Sequence, residues 1–408
     1  MNTFRKTPVI YSAWVLTRII IIYLGYQKVH PIQGWWADVA LYDWWANNMM
    51  HGSFPLNDAM WQYPPLAAPI FLIGFAINHN PIGFVLFALV ADLAVLLLLA
   101  YKARLENASR VSPLWLWVAA PLIVGPILLG RFDIFPTAVA VAALVFVQRS
   151  AVFGALVAVG TLTKIWPLLA LFGTPRQSAR TALSSFALTG VGLSIVLVAW
   201  WPNAFGFISG QKARGLQIES VAALPYMWLM ALHKNVKIEL QFGAIQVVAA
   251  HTAIVCGVIT VIGVALFAGL AALKLMGRLE HLSPADLTLA AVLISLITSR
   301  VLSPQYSVWP IGILAVCAFH PPRRFKLIAS LIITSCVAGQ ILYPALYIQF
   351  ELGQIGPLLI QTIRIIALLA ATVVVGMNVW QRPTESEGTA SESIRNPKST
   401  PARPKNAR

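Results

Sequence analysis

Apolar segments close to membrane length recur along almost the whole chain, and that recurrence restricts the fold more than any other feature. Lipid offers no water to backbone N–H and C=O groups, so a crossing segment hides them by forming a helix. About 20 apolar residues reach across the hydrocarbon core. Of the 408 residues, 58% are hydrophobic and only 11% charged, with a mean hydropathy of +0.75. Soluble domains carry about twice that charged share. The reading is an all-α, polytopic integral membrane protein with about 12 transmembrane helices, expected near 9–26, 81–101, 112–129, 134–148, 151–163, 165–175, 181–201, 244–273, 285–299, 307–319, 326–344 and 357–380. An even count returns both termini to one side, the cytoplasmic one.

The charges support this topology. The formal net charge is +15, yet the basic residues cluster in short connections: Arg5/Lys6, Lys102/Arg104/Arg110, Arg176/Arg180, Lys274/Arg278 and Arg323/Arg324/Lys326. Short cytoplasmic loops collect Lys and Arg, where they meet anionic headgroups. The pattern therefore argues for membrane lipids and against nucleic acid as partner. Cys256, Cys317 and Cys336 fall in apolar runs and read as small buried hydrophobes. The basic start followed by an apolar run imitates a signal peptide, but Arg18 interrupts the run and no small-residue cleavage site follows, so it reads as an uncleaved first span.

Two segments are too short for ordinary spans. Pro64 to Ile77 is about half a span, and a full crossing there would turn the Lys102 loop outward. It reads as a re-entrant or interfacial helix on the outer side. The pair 151–163 and 165–175 reads as a compressed hairpin with Lys164 at its tip, partway down from the outer face. Residues 1–380 form the membrane domain, and 381–408 a disordered cytoplasmic tail rich in Ser, Thr and Pro.

The candidate chemistry sits in two longer outer loops, 27–63 and 202–243. From Gln33 to Pro65 there are three Asp, seven Trp or Tyr, and no Lys or Arg. In D-V-A-L-Y-D, a helix would bring Asp38, Tyr42 and, less well, Asp43 toward one face. Beside Trp35 and Trp36, Asp38 can lose solvent, rise in pKa and act as a general base. The same residues also fit an interfacial aromatic belt with solvated acids. Asp58 follows Asn57 in an expected turn.

Other polar groups point to the same side. Gly130-Arg131-Phe132-Asp133 is a short charged connection, equally readable as a neighbouring ion pair ending two helices. A lone Lys164 in an apolar hairpin is costly and is by default functional, for example toward a lipid-linked phosphate, with snorkelling to the interface as the alternative. Arg214, Gln217, Glu219 and Ser220 form a cluster fit for sugar hydroxyls or a diphosphate, or else a solvated loop. Arg300 stands at a helix end before Ser303-Pro304-Gln305-Tyr306, and can neutralise a departing phosphate or simply cap the helix. Arg18 and Arg364 lie inside spans, with Asp92 the partner of one of them. No nucleotide-binding loop, dinucleotide fingerprint, His/Cys metal spacing or nucleophile elbow occurs.

In order, D-V-A-L-Y from Asp38, Q-Y-P-P-L from Gln62, G-R-F-D from Gly130, T-K-I-W-P-L from Thr163, R-G-L-Q-I-E-S from Arg214 and S-P-Q-Y from Ser303 resemble the GT-C superfamily of membrane glycosyltransferases. The nearest resemblance is to glycosyltransferase family 87, the actinobacterial α-mannosyltransferases that use polyprenyl-phosphate mannose. It implies a GT-C-like fold, a polyprenyl-phosphate sugar donor, a glycolipid or glycan acceptor, and no cofactor. It also implies Asp38 as the base, in an inverting displacement. Lys164, Arg214 or Arg300 would meet the leaving phosphate; Gln217, Glu219 and Tyr306 would hold sugar hydroxyls; and Tyr42, Asp43, Arg131, Asp133 and Gln305 would complete the binding surface. The donor chain would lie in a lipid-facing groove. Where many superfamily members carry an acidic pair, Val39 follows Asp38, which puts divalent-metal dependence in doubt. The expected location is the plasma membrane, with the active site outside. Two alternatives remain at this point: a transporter or flippase of a lipid-linked or anionic solute, and a polymerase or ligase using a diphosphate-linked glycan.

Overall fold

The computed structural model describes residues 3–27, 37–55, 58, 60–107, 111–209 and 214–380. Trp35, Trp36, Lys212, Ala213 and the expected tail from Gln381 lie outside them. α1 (Thr3–Tyr26) leads to α2 (Ala37–Met50) and α3 (Ala67–Ile77). Then come α4 (Pro81–Leu105), α5 (Ser112–Val124), the single turn α6 (Ile127–Gly130), α7 (Ile134–Val145) and α8 (Ser150–Thr163). A 3-10 helix over Trp166–Gly173 precedes α9 (Ala179–Trp200). The following connection holds β1 (Leu216–Gln217), α10 (Leu224–Ala231), β2 (Lys237–Gln241) and β3 (Ala244–Val248). The chain continues through α11 (Thr252–Leu275), α12 (Pro284–Thr298), α13 (Val308–Cys317), α14 (Phe325–Leu342), α15 (Tyr347–Glu351) and α16 (Ile355–Trp380).

The chain is a membrane-embedded, mostly helical protein with one small sheet. Among the described residues six helices have the length and apolarity to cross a bilayer: Pro8–Tyr26, Ile82–Leu105, Arg176–Trp200, Thr252–Leu275, Phe325–Leu342 and Ile355–Trp380. Twelve full-length crossings are not seen among them. The expected span 112–129 is broken, because Gly125 adopts a positive φ of 65° that an L side chain resists and Pro126 starts a new turn. The expected 165–175 helix tightens to 3-10 geometry over eight residues, a rise of about 16 Å, roughly half the hydrocarbon core. Short helices such as α7, α12 and α13 are largely buried within the bundle, where protein rather than lipid covers them. Local signals place several starts. Asn80 Oδ1 accepts from Ile82 N (2.8 Å) ahead of α4, with Pro81 in its first turn, and Ser283 with Asp286 closes a capping box on α12.

The expected span 244–273 also needs correction. Its first five residues form β3, the middle strand of an antiparallel sheet ordered β1-β3-β2, and α11 begins only at Thr252. Ala-Ile-Gln-Val-Val places Gln246 beside apolar neighbours in a strand, where it is buried and accepts from Gly215 N (2.8 Å). Phe242 (φ 52°) and Gly243 (φ 68°) make the two-residue turn from β2 into β3, whose successive positive φ values suit a tight hairpin.

α3, at 11 residues, is too short to cross a bilayer as a helix. Leu66 N, just before it, donates to Leu162 O at the end of α8 (3.0 Å), and Gly74 abuts Phe84 at the start of α4. Phe84 in turn meets Phe135 at the start of α7. Both ends of α3 therefore lie at one face of the bundle. There it packs with α2 in an aromatic cluster: Tyr42 stacks on Phe71 (4.6 Å between centroids), Trp45 meets Trp61 edge-on (5.1 Å), and Phe132 meets Tyr63 (5.0 Å). Each such pair contributes about 0.5–1.5 kcal/mol beyond its buried area.

Of the intramembrane charges, Arg18 takes Asp92. Its Nε and Nη2 donate to Oδ2 and Oδ1, both at 2.7 Å, and Trp14 Nε1 also reaches Oδ2 (2.7 Å). Arg18 also donates to the Val118 and Trp117 carbonyls, so the cluster ties α1, α4 and α5 together. The three cysteines are free and buried.

Candidate active site

Seven segments meet at the face marked by α2 and α3: the start of α2, residues 60–63, the turn between α6 and α7, the break at Lys164, the segment 214–245, the 303–306 turn, and the tyrosines around α15. They enclose a cavity of about 300 Å³. Asp38, Tyr42, Arg131, Lys164, Arg214, Gln217, Glu219, Gln305 and Tyr306 all line it. The basic clusters that start at Lys102, Arg176, Lys274 and Arg323 stand at helix ends remote from it.

Asp38 lies in the first turn of α2, a position where the helix dipole favours a carboxylate. It is one-third exposed and forms an ion pair with Arg131 Nη1. Arg131 follows α6 in extended conformation and also donates to Tyr343 Oη (2.8 Å). The acid two residues on, Asp133, turns the other way. It is buried, and its Oδ1 accepts from Lys164 Nζ (2.7 Å) and Trp309 Nε1 (2.6 Å). The expected Arg131–Asp133 neighbour pair is thus replaced by two long-range pairs, and Asp133 sits behind the wall, fixing Lys164 rather than facing the cavity. Lys164 is a hairpin-tip residue as expected, 4.8 Å from the Tyr306 ring and 5.2 Å from that of Trp309.

The 214–220 segment forms the opposite wall. Gln217 is held at both ends, its N donating to Arg300 O (3.0 Å) and its Oε1 accepting from Leu302 N (2.7 Å). Its Nε2 donates to Glu219 Oε1 (3.3 Å). Glu219 also accepts from Tyr347 Oη (3.0 Å) and pairs with Arg364 Nη1 (2.5 Å). Arg364 further donates to Leu302 O (3.2 Å), so one buried network links the hairpin connection, the 302–306 turn and α16. Burial pushes the Glu219 carboxyl upward, and Arg364 pulls it back. Burial likewise lifts the Tyr42, Tyr63 and Tyr347 hydroxyls above their ordinary range, so these groups act as neutral donors.

Three candidates fall outside the cavity lining. Asp43 is half-buried on another side of α2, its carboxyl raised by desolvation and lowered in turn by His79. Arg300 turns away, donating to Arg214 O (3.3 Å) and Thr260 Oγ1 (3.2 Å). Asp133 lies behind Lys164. Asp58 serves its turn, accepting from Met60 N (2.8 Å) and Trp45 Nε1 (2.7 Å). Sequence reasoning missed Tyr343, Tyr347, Trp309 and the hairpin tip, where Gln62 Nε2 donates to Phe242 O (3.0 Å). The Tyr343/Tyr347 spacing of one helical turn in an apolar stretch was the available signal. Among the described residues no three His, Cys, Asp or Glu side chains converge as a metal site.

Among the described residues, each cavity carboxylate has a cationic partner, while Arg214 has no carboxylate partner. Its Nε is buried without a hydrogen bond, as is Arg131 Nε. A helical bundle carrying a tyrosine-rich cavity with fixed cations and one accessible carboxylate at its face has the make-up of a membrane-enzyme active site. The model of glycosyltransferase family 87 matches residues 61–304, well over half the chain. The chain therefore belongs to that family and is a membrane glycosyltransferase. No curated protein and no solved structure matches it.

Proposed function

We propose that the protein moves a hexose, with mannose the first candidate, from a polyprenyl phosphate donor to a hydroxyl of a lipid or glycan acceptor, with inversion, in a cavity on the outer face of the plasma membrane. The observation carrying this reading is that Asp38 shares one cavity with Arg131, Lys164 and Arg214. Asp38 takes the proton of the acceptor hydroxyl as that oxygen bonds to the anomeric carbon. The bond from that carbon to the phosphate oxygen breaks, and polyprenyl phosphate leaves with the bonding pair. Arg214, which has no carboxylate partner among the described residues, meets the growing charge, with Lys164 and Arg131 alongside. The side chains of Tyr42, Gln217, Gln305 and Tyr306 supply contacts to sugar hydroxyls.

The Arg131–Asp38 pair gives this reading a sequence of events. A donor phosphate competes with Asp38 for the Arg131 guanidinium, and so frees the base only when a leaving group is in place. The basic connections, which cluster away from the cavity, support the outer-face orientation of this reading. The test is purified protein in liposomes with radiolabelled polyprenyl-phosphate mannose and a cell-envelope lipid extract. Label should enter a glycolipid with wild type and not with Asp38→Asn. Uptake of label without covalent transfer, or full transfer by Asp38→Asn, refutes the proposal.

A further inference from the structure

A second cavity, of about 450 Å³, lies at the end of the bundle remote from Asp38. Its walls are the end of the 3-10 helix, the following turn at Thr174–Gln177, the last turn of α11 and the connection into α12. The glycosyl transfer proposed above makes no use of it, and its ligand does not depend on that reaction.

Three features of its wall belong together. Lys274 Nζ donates to the Phe172 carbonyl and, at 3.4 Å, to that of Leu171, and among the described residues it has no carboxylate partner. An ammonium carries three donors, so one remains. Thr174 is 5% exposed and lines the cavity, yet its Oγ1 has no hydrogen-bond partner. Arg176 stands at the mouth, 65% exposed, with a loose 3.6 Å contact to Glu280. Two cations and one carboxylate thus line the cavity together with a buried hydroxyl that lacks a partner. Gln148 and Gln177 add polar groups to the wall, Leu279 and Leu287 are buried apolar parts of it, and the adjoining end of α11 exposes Leu275 (77%) and Met276 (62%).

We propose that this cavity binds the headgroup of an anionic glycerophospholipid. The phosphate would sit among Lys274, Thr174 and Arg176, and the acyl chains would run out past Leu275 and Met276. Phosphate takes charge-assisted hydrogen bonds from Lys and Arg, and basic pockets between membrane helices hold such headgroups. Arg176 exchanges its loose contact with Glu280 for the phosphate. Occupancy braces the far end of the 3-10 helix, whose near end begins two residues after Lys164, so the bound lipid stiffens the wall of the active-site cavity from behind.

The test is the melting temperature of the full chain in a neutral detergent, titrated with phosphatidylglycerol, phosphatidylcholine or inorganic phosphate. Phosphatidylglycerol should raise it saturably at about one lipid per protein; phosphatidylcholine should not. Arg176→Gln and Thr174→Val should each weaken the apparent phosphatidylglycerol affinity about tenfold, the value of one such hydrogen bond. Thr174→Val should fold well, because it removes a hydroxyl without a partner, and should melt no lower than wild type in the absence of lipid. An equal shift with phosphatidylcholine, an equal shift with inorganic phosphate alone, or unchanged titrations in both variants overturns the proposal.

Discussion

Replacing Glu219 by Gln tests whether the wall of the active-site cavity is held by a buried charge pair. The side chains of Arg364 and Glu219 are only 3% and 1% exposed and meet at 2.5 Å. In Glu219→Gln the Arg364 guanidinium keeps the Leu302 carbonyl (3.2 Å) and the Gln361 side chain (3.4 Å) but loses its only anion among the described residues. Removing one partner of a buried pair costs about 3–5 kcal/mol, far more than the 0–1 kcal/mol of an exposed pair. At roughly 2 °C per kcal/mol this is a fall of about 6–10 °C in melting temperature. Arg364→Met should fall similarly, since it strands the carboxylate. The double variant Glu219→Gln/Arg364→Met carries neither charge, and the amide at position 219 still accepts from Tyr347, so it should melt above either single variant. The assay is intrinsic fluorescence on heating for wild type and the three variants, in one detergent. A Glu219→Gln loss below about 1 kcal/mol, or a double loss equal to the sum of the singles to within about 0.5 kcal/mol, refutes the reasoning.

The other predictions concern the reaction and its pH dependence. Asp38→Asn should lower the transfer rate by about 10²–10⁴-fold with little change in melting temperature, because the Asp38 side chain is one-third exposed; single-turnover transfer measures this. Asp133→Asn should unfix Lys164 and lower kcat more than it raises KM for the donor, whereas Arg300→Gln, outside the cavity lining, should leave both near wild type; steady-state kinetics with varied donor separates them. Burial raises the Asp43 carboxyl, so the folded chain binds that proton more tightly than the unfolded one. The resulting stability is full below the ordinary carboxylate range and is lost as pH rises through the raised value. Asp43→Asn should therefore flatten the slope of melting temperature across the mildly acidic range.

Much of the bundle was legible because its signals are local. A run of apolar residues closed by Lys or Arg needs no partner to be read, and α4, α9, α12, α14 and α16 begin and end within a few residues of expectation. What failed needed either backbone detail or distance. The strand at Ala244–Val248 was hidden because its apolar residues run straight into those of α11, and only the turn at Phe242–Gly243 separates helix from hairpin. The titratable residues were visible, but their pairing was not: Lys164 finds Asp133 across 31 positions, and Glu219 finds Arg364 across 145. For Arg18 and Arg364 the chain offered more than one carboxylate in reach of a membrane interior, and nothing in linear order says that Asp92 goes to one and Glu219 to the other. The convergence of nine selected residues on one cavity came from another local property, their shared place at one set of helix ends.

The three ion pairs around that cavity form a series in exposure, and the series separates their work. Arg364–Glu219 is sealed at 3% and 1%, Lys164–Asp133 is sealed on its acid side only, at 15% and 1%, and Arg131–Asp38 is open on its acid side, at 12% and 33%. A ligand cannot exchange into the first pair without stranding a charge that water does not reach, so that pair can only be architecture. In the second, the ammonium can turn part of its donor set outward while Asp133 keeps its position, which suits a cation that touches a ligand but must not leave. In the third, either member can be resolvated or rebound at small cost, so it is the pair a phosphate can open. In the proposed transfer, a carboxylate released by that opening would be uncovered only when the anion that opened it is present, which would couple proton removal to a bound leaving group without any moving domain.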